Sequence, residues 1–349
     1  MYKLPFLLSF LASTFLVAQV PSYYGNINLS EINELKSQLS ELIIETHTNF
    51  IPYTASDTDV WDVLRISDLV NADSDNVLLL YGYDDSDSST NNDRTRDIYS
   101  NQSSNCIGYW NREHVFAKSL ANPSLVTNEP GPGTDVHNLR AADCQMNSNR
   151  NNRFFIGGSG NSGTLGSYFY PGDEFKGDVA RIIMYMYLRY PSQCEPSSIG
   201  VGGSSYSLND DMPDIFLEWN QQDPVSEFER NRNAVIYSYQ GNRNPFIDNP
   251  YIATLIWGGP SAEETWGVLS KDSYYKNLYV YPTICKDEIY ITNHTSDIRL
   301  EYSIFNIDGN EVQKGNAHNS IMLKNHPTGT YFLTIGYGDN KKSQTIYIL

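Results

Sequence analysis

Tyr109-Trp110-Asn111-Arg112-Glu113-His114-Val115-Phe116 is the stretch that decides how this chain reads. A second stretch answers it: Gly133-Thr134-Asp135-Val136-His137-Asn138-Leu139-Arg140-Ala141-Ala142-Asp143-Cys144-Gln145-Met146-Asn147-Ser148-Asn149-Arg150-Asn151-Asn152-Arg153. The first sets a carboxylate beside an imidazole, and an imidazole accepts a proton near neutral pH with little tuning. Glu113 and the amide oxygen of Asn147 are hard oxygen donors. Mg²⁺ takes one or two such groups and keeps several of its waters. Arg112, Arg140, Arg150 and Arg153 supply charge that a phosphate would need. A Glu-His pair alone is weak, because most such histidines are structural or simply exposed.

Around this segment the chain is acidic. Its 349 residues carry 24 Lys+Arg against 41 Asp+Glu, a formal net charge of −17. That balance excludes a bulk electrostatic grip on nucleic acid or an anionic membrane, which requires clustered Lys and Arg. The charge is uneven, however. Residues 19–105 hold 4 basic and 15 acidic groups, whereas residues 106–156 hold 5 and 4. The stretch with the Glu-His pair therefore escapes the acidity of its surroundings and stays open to a phosphate. At 40% hydrophobic and 13% aromatic residues the chain is too rich in core formers to be disordered.

The first eighteen residues, with Lys3, an apolar run from Leu4 to Val17 and Ala18, read as a secretory signal peptide (1–18). Leu16 stands third before the cut, where a small residue is usual. A membrane helix is the alternative, for which the run is short. Export permits disulfides. Cys106, Cys144, Cys194 and Cys285 form no C-x-x-C pair, which speaks against structural zinc, and they allow three connectivities.

Periodicity predicts an α+β chain. Ser30 caps a helix with Ile32, Leu35, Leu39, Leu42 and Ile43 on one face. Asn76–Tyr83 reads as a buried strand. Asp84–Asp97 reads as a solvated loop, with a cation or substrate contact as the alternative, although it lacks the glycine and glutamate of a calcium loop. Asp178 opens a helix that ends at Pro191, Asp223-Pro224 opens another, and Asn249-Pro250 a third that stops at Gly258-Gly259. From about Asn277, short alternating runs and an Asp308-Gly309 turn predict a small all-β sandwich.

Four blocks in order carry a resemblance. They are Asn111-Arg112-Glu113-His114-Val115, then Asp135-Val136-His137-Asn138-Leu139-Arg140 with Asn147-Ser148-Asn149-Arg150, then Asp223-Pro224-Val225-Ser226-Glu227-Phe228-Glu229-Arg230-Asn231, then Gln240-Gly241-Asn242-Arg243-Asn244-Pro245-Phe246-Ile247-Asp248. From about Tyr23 to Trp257 the chain resembles the bacterial endonuclease I family, part of the His-Me finger or ββα-metal nucleases. The resemblance implies a helix-rich nuclease domain over residues 19–272 with a ββα-metal core. In it His114 would be the general base, and Glu113 and Asn147 would hold one Mg²⁺, with Mn²⁺ or Ca²⁺ as substitutes. It also implies DNA or RNA as substrate, little sequence preference, and 5′-phosphate products. Arg140 and Arg112 are the candidates for the arginine that supports the leaving group. Arg150, Arg153, Arg230, Asn242, Arg243 and Asn244 are the candidate substrate contacts, although the block from Gln240 to Asp248 serves equally well as a long self-bonded turn. His137 is either a contact behind the ligands or a packed histidine between Val136 and Leu139, which read as buried. Ala117 and Ala141 stand where related sequences often have proline. A Cys106–Cys144 bridge is a further hypothesis, since it would tie the base-bearing strand to the ligand-bearing helix.

Leu278-Tyr279-Val280-Tyr281-Pro282, Tyr302-Ser303-Ile304-Phe305-Asn306 and Pro327-Thr328-Gly329-Thr330-Tyr331-Phe332-Leu333 resemble the type A sorting domain of type IX secretion, covering 277–349. That resemblance implies engagement of the type IX machinery and a product released or held at the cell surface. The mature protein is expected to be a monomer without membrane insertion. The rival from another class is a surface adhesion module that kept the scaffold and lost catalysis; Glu113, His114 and Asn147 together speak against it.

Overall fold

The computed structural model describes residues 20–29, 31–101, 106–207, 211–267, 278–292, 300–337 and 340–349. The expected signal peptide, the Ser30 cap and the expected domain boundary at 272–277 lie outside these residues.

In the N-terminal part, helices α1 (Ile32–Thr46), α2 (Val60–Ser67), α3 (Cys144–Arg150), α4 (Lys176–Arg189), α5 (Asp214–Gln222), α6 (Glu227–Gln240), α7 (Pro245–Asp248) and α8 (Tyr251–Trp257) surround three short antiparallel pairs. The pairs are β1 (Asn76–Leu78) with β2 (Thr95–Asp97), β3 (Trp110–His114) with β4 (Leu139–Asp143), and β5 (Gly163–Leu165) with β6 (Tyr168–Tyr170). Helix α4 is the centre of this body. Its residues from Gly177 to Met186 are all buried, and α1, α5 and α7 pack on it. The α1 stripe of Leu35, Leu39 and Ile43 is fully buried, as the helical spacing predicts.

Two expected elements are corrected. The helix expected to open at Asp223-Pro224 begins at Glu227 instead. Ser226 caps it by accepting the Glu229 N–H, and the Glu229 carboxylate returns to the Ser226 N–H, a reciprocal capping box. Asp223 ends α5, a helix the periodicity did not flag, and its carboxylate takes the Gly177 N–H of α4. The strand expected over Asn76–Tyr83 ends as a regular strand at Leu78, and only an isolated bridge from Leu80 to Ala142 continues its pairing. Beyond it the chain bends: Tyr81 adopts a positive φ of 75°, and Gly82 passes so close to the Asp93 carbonyl that a Cβ would sit 2.1 Å from it.

A charged core supports β4 from behind. Arg140, Arg181 and Arg232 are buried with Asp68, Asp178 and Glu229, so three guanidinium groups face three carboxylates. Such groups are tolerated inside only because they are paired and hydrogen-bonded, and removing one partner leaves a buried charge uncompensated. This network links α2, β4, α4 and α6 and holds β4 in place.

The C-terminal part has its own hydrophobic core, built from Leu278, Val280, Ile289, Ile304, Leu333 and Ile346 among others. It comprises β7 (Tyr279–Tyr281), β8 (Ile284–Cys285), β9 (Glu288–Thr292), β10 (Leu300–Phe305), β11 (Glu311–Ala317), β12 (Ser320–Met322), β13 (Gly329–Tyr337) and β14 (Asn340–Ile348). A five-stranded sheet in the order β11-β10-β13-β14-β8 and a three-stranded sheet β12-β9-β7 contribute to that one core. The expected Asp308-Gly309 turn joins β10 to β11, with Gly309 at φ 81°. β7, β8 and β11 went unflagged in the sequence.

Candidate active site

β3 and β4 pair in register, Glu113 opposite Arg140 and His114 opposite Leu139, and β4 runs directly into α3. Asp143 makes that junction by accepting the N–H groups of Gln145 and Met146 at the start of the helix. The disulfide Cys106–Cys144 (Cα–Cα 5.2 Å) closes the same corner, while Cys194 and Cys285 are free and buried. Alternation along β3 sends Asn111 and Glu113 to one face, Arg112 and His114 to the other. Asn111 and Glu113 meet α3, through Asn147 and Arg150. Arg112 and His114 meet Tyr53, whose ring lies 3.4 Å from the guanidinium and 5.7 Å from the imidazole.

Both faces open into one cleft of about 500 Å³, lined by Tyr53, Arg112, Glu113, His114, Lys118, Asn147 and Arg150 with Ser148, Asn151 and Asn152. His114 Nε2 lies 2.8 Å from the Gly133 carbonyl oxygen. A carbonyl only accepts, so Nε2 carries the proton and Nδ1 holds the lone pair. Burial pushes the imidazole pKa down to about 3, so the ring is neutral at physiological pH. Gly133 is needed at that position: a Cβ there would lie 1.9 Å from the Val126 carbonyl oxygen.

Glu113 is buried and accepts the Tyr81 hydroxyl at 3.1 Å and meets Arg150 at 3.3 Å, both through Oε1. Burial raises its pKa to about 7 despite Arg150, which marks a carboxylate short of positive charge. Arg150 also donates to the carbonyls of His114 and Val115, and so stitches α3 to the end of β3. Asn147 Nδ2 donates to Asn111 Oδ1 at 2.7 Å, and no described protein donor reaches its Oδ1. One carboxylate oxygen and one amide oxygen on a cleft wall suit an ion that retains waters. Among the described residues no group of three or more His, Cys, Asp and Glu is arranged to hold a metal ion. The donor set therefore fits Mg²⁺ better than zinc.

The structure brings together His114, Glu113, Asn147, Arg112 and Arg150, but not the other expected contacts. Arg140 is buried away from the cleft, 2.7 Å from Asp178 and 3.3 Å from Asp68. Asn242 and Asn244 are fully buried. Asn242 bonds Tyr185 and Gln240, and Asn244 caps α7 and donates to the Arg181 carbonyl. Arg243 forks onto Asp248. The block from Gln240 to Asp248 is thus a self-bonded turn. Arg230 donates to the Val225 carbonyl and Arg153 to the Asn149 carbonyl, and neither lines the cleft. His137 is packed against Tyr185 with Nε2 3.3 Å from the Asn242 carbonyl. In the 84–97 loop Asp84, Asp85, Asp87 and Asp93 are occupied by the loop's own N–H, hydroxyl, amide and guanidinium groups, and Asp97 accepts the Tyr99 N–H. Tyr53, Tyr81 and Lys118 had no sequence signal, since lone tyrosines and lysines outside any motif carry none.

An imidazole, a carboxylate, an amide oxygen and guanidinium groups line one cleft, a set whose chemistry suits a phosphate ester. The chain belongs to the Endonuclease I family, whose model matches residues 31–251, and residues 279–349 match the Secretion system C-terminal sorting domain. It is 39% identical to an extracellular ribonuclease of Bacillus subtilis (strain 168) over 264 residues, covering 72% of this chain and 83% of that protein. It is 38% identical to an extracellular ribonuclease of Bacillus amyloliquefaciens over 257 residues, covering 69% and 79%. A third relative, Endonuclease-1 of Buchnera aphidicola subsp. Baizongia pistaciae (strain Bp), is 28% identical over 127 residues, 33% of this chain and 46% of that one. The protein is a nucleic-acid hydrolase of this family, and its sorting domain marks it for secretion. Among the described residues no helix is long and apolar enough to cross a membrane.

Proposed function

We propose that the protein is an Mg²⁺-dependent, sequence-tolerant endonuclease whose β3–β4–α3 unit is a ββα-metal core. The observation that carries this reading is the His114 tautomer: Nε2 is tied to the Gly133 carbonyl, which leaves Nδ1 as the base on the cleft wall. His114 Nδ1 takes a proton from a water molecule as that water attacks phosphorus. As the new bond from the water oxygen to phosphorus forms, the bond from phosphorus to the 3′ oxygen breaks. That oxygen takes a proton from solvent water, leaving a 3′-hydroxyl and a 5′-phosphate. Glu113 and Asn147 would hold the ion, which would supply Lewis-acid stabilisation of charge on the phosphate and the departing oxygen. Arg112, fixed between Tyr53 and Trp61, is the cleft arginine placed to meet a phosphate, and Arg150 and Tyr81 orient Glu113.

The net charge of −17 shapes the mode of action. A repelled polyanion must be held by local arginines and the divalent ion rather than by a long basic groove. The names of the two Bacillus relatives make RNA the first substrate to test, with plasmid DNA beside it. Digestion of both with Mg²⁺, and its loss in EDTA, is the expected result. Full activity in EDTA would remove the metal from the reading. No cleavage of either polymer under any divalent ion would favour the adhesion module.

A further inference from the structure

A carboxamide serves a metal ion only through its oxygen. Turned half a revolution it presents an NH₂ group, which a cation repels, and the two orientations are nearly identical in shape. Whatever chooses between them for Asn147 controls the metal site. Asn111 Oδ1, which can only accept, stands 2.7 Å from Asn147 Nδ2. The amide nitrogen is thereby drawn toward β3 and the oxygen is left for the cleft that Asn147 lines. Asn111 is itself held, because its own Nδ2 donates to Cys144 Sγ at 3.3 Å. That sulfur is part of the bridge to Cys106, so it has no proton and only accepts. The sequence of donors and acceptors therefore runs one way, from sulfur to Asn111 to Asn147, and each member fixes the polarity of the next. Asn111 shares its β3 face with Glu113, so the same strand presents one ligand and orients the other.

We propose that Asn111 is a positioning residue for the metal site, setting the Asn147 carboxamide with its oxygen toward the bound ion. The inference rests on the metal role given above to Glu113 and Asn147. It assigns Asn111 no contact with the ion or the substrate, and its signature is metal affinity in the absence of nucleic acid.

The test is Mn²⁺ titration of the disulfide-bonded full chain, stripped of metal, with free Mn²⁺ followed by electron paramagnetic resonance. Asn111→Leu removes the acceptor and is expected to raise the Mn²⁺ Kd about 10–100-fold, the range for partners that orient metal ligands. Asn111→Asp keeps the acceptor and is expected to bind Mn²⁺ at least as tightly as wild type. In the Asn147→Ala background, Asn111→Leu is expected to add nothing, since both changes act through one side chain. Thermal melting reports whether β3 tolerates leucine, and Asn111→Ala is the second loss variant. If Asn111→Leu and Asn111→Ala bind like wild type while Glu113→Ala binds weakly, the inference is overturned and the metal site stands. Additive losses in the double variant, or Asn111→Asp as weak as Asn111→Leu, also overturn it. If Glu113→Ala leaves Mn²⁺ binding unchanged, the metal reading itself fails and takes this inference with it.

Discussion

His114 Nε2 lies 2.8 Å from the carbonyl oxygen of Gly133, and that one contact decides which ring nitrogen is left with the lone pair. Gly133 is held by a segment anchored two residues later. The Asp135 carboxylate accepts Tyr185, Tyr190 and Gln240 in the interior. The imidazole is thus oriented from the core, not from the cleft.

His114→Ala is expected to reduce cleavage by about 10²–10⁴-fold, the usual range for a general base, with the melting temperature little changed. The check is initial rates on RNA and plasmid at saturating Mg²⁺. Wild-type rates in this variant would eliminate the proposed base.

The two candidate arginines separate cleanly. Arg140→Ala leaves Asp68 and Asp178 short of a buried partner and is expected to cost about 3–5 kcal/mol of stability. Activity per folded molecule should survive. Arg112→Ala opens the cleft between Tyr53 and Trp61 and should lower kcat at least about tenfold while costing only about 1–2 kcal/mol of cation–π stacking. Denaturant melts and kinetics on both variants decide it, and the reverse pattern would exchange their roles.

The Cys106–Cys144 bridge spans 38 residues and should contribute about 2–4 kcal/mol by restricting the unfolded chain. Under native conditions neither thiol should be alkylated, whereas Cys106→Ala/Cys144→Ala should unfold at lower urea. Labelling of Cys106 in the untreated secreted protein would show the bridge does not form.

His137 has its pKa depressed to about 3 by burial, against an ordinary value near 6.5, with Arg232 and His47 opposing the charge and Asp135 favouring it. Between those values the unfolded chain binds the proton and the folded chain does not. Stability from this group is therefore present above about pH 6.5 and lost as pH falls toward 3. The melting temperature should drop on acidification from pH 6.5 to 4, and His137→Gln should flatten that slope. Identical slopes in the two proteins would mean His137 does not carry the effect.

Glu113, His114 and Asn147 were legible because a strand end and the first turn of a helix are local patterns, and the chemistry of adjacent residue types survives without a map of the fold. The capping box at Ser226 was equally local, yet the neighbouring Asp223-Pro224 signal was as strong on paper. The contest was decided by Gly177, whose N–H claims the Asp223 carboxylate from 46 positions away.

What the amino-acid order determined by itself is the inventory: an imidazole, hard oxygen donors, guanidinium groups, an acidic balance, a sorting domain and the strand-and-helix periods that carry them. Which of two arginines lines the cleft was decided only by tertiary structure. Arg112 and Arg140 sit on the paired strands β3 and β4 with the same guanidinium. One meets Tyr53 on a cleft wall, and the other meets Asp68 and Asp178, 72 and 38 positions away. The same holds for the amides of Asn242 and Asn244, spent on the interior, and for the orientation of Asn147. Charge and hydrogen-bonding capacity are written in residue types. Whether they are spent inside the protein or left for a ligand depends on partners far along the chain, and no local pattern contains that information.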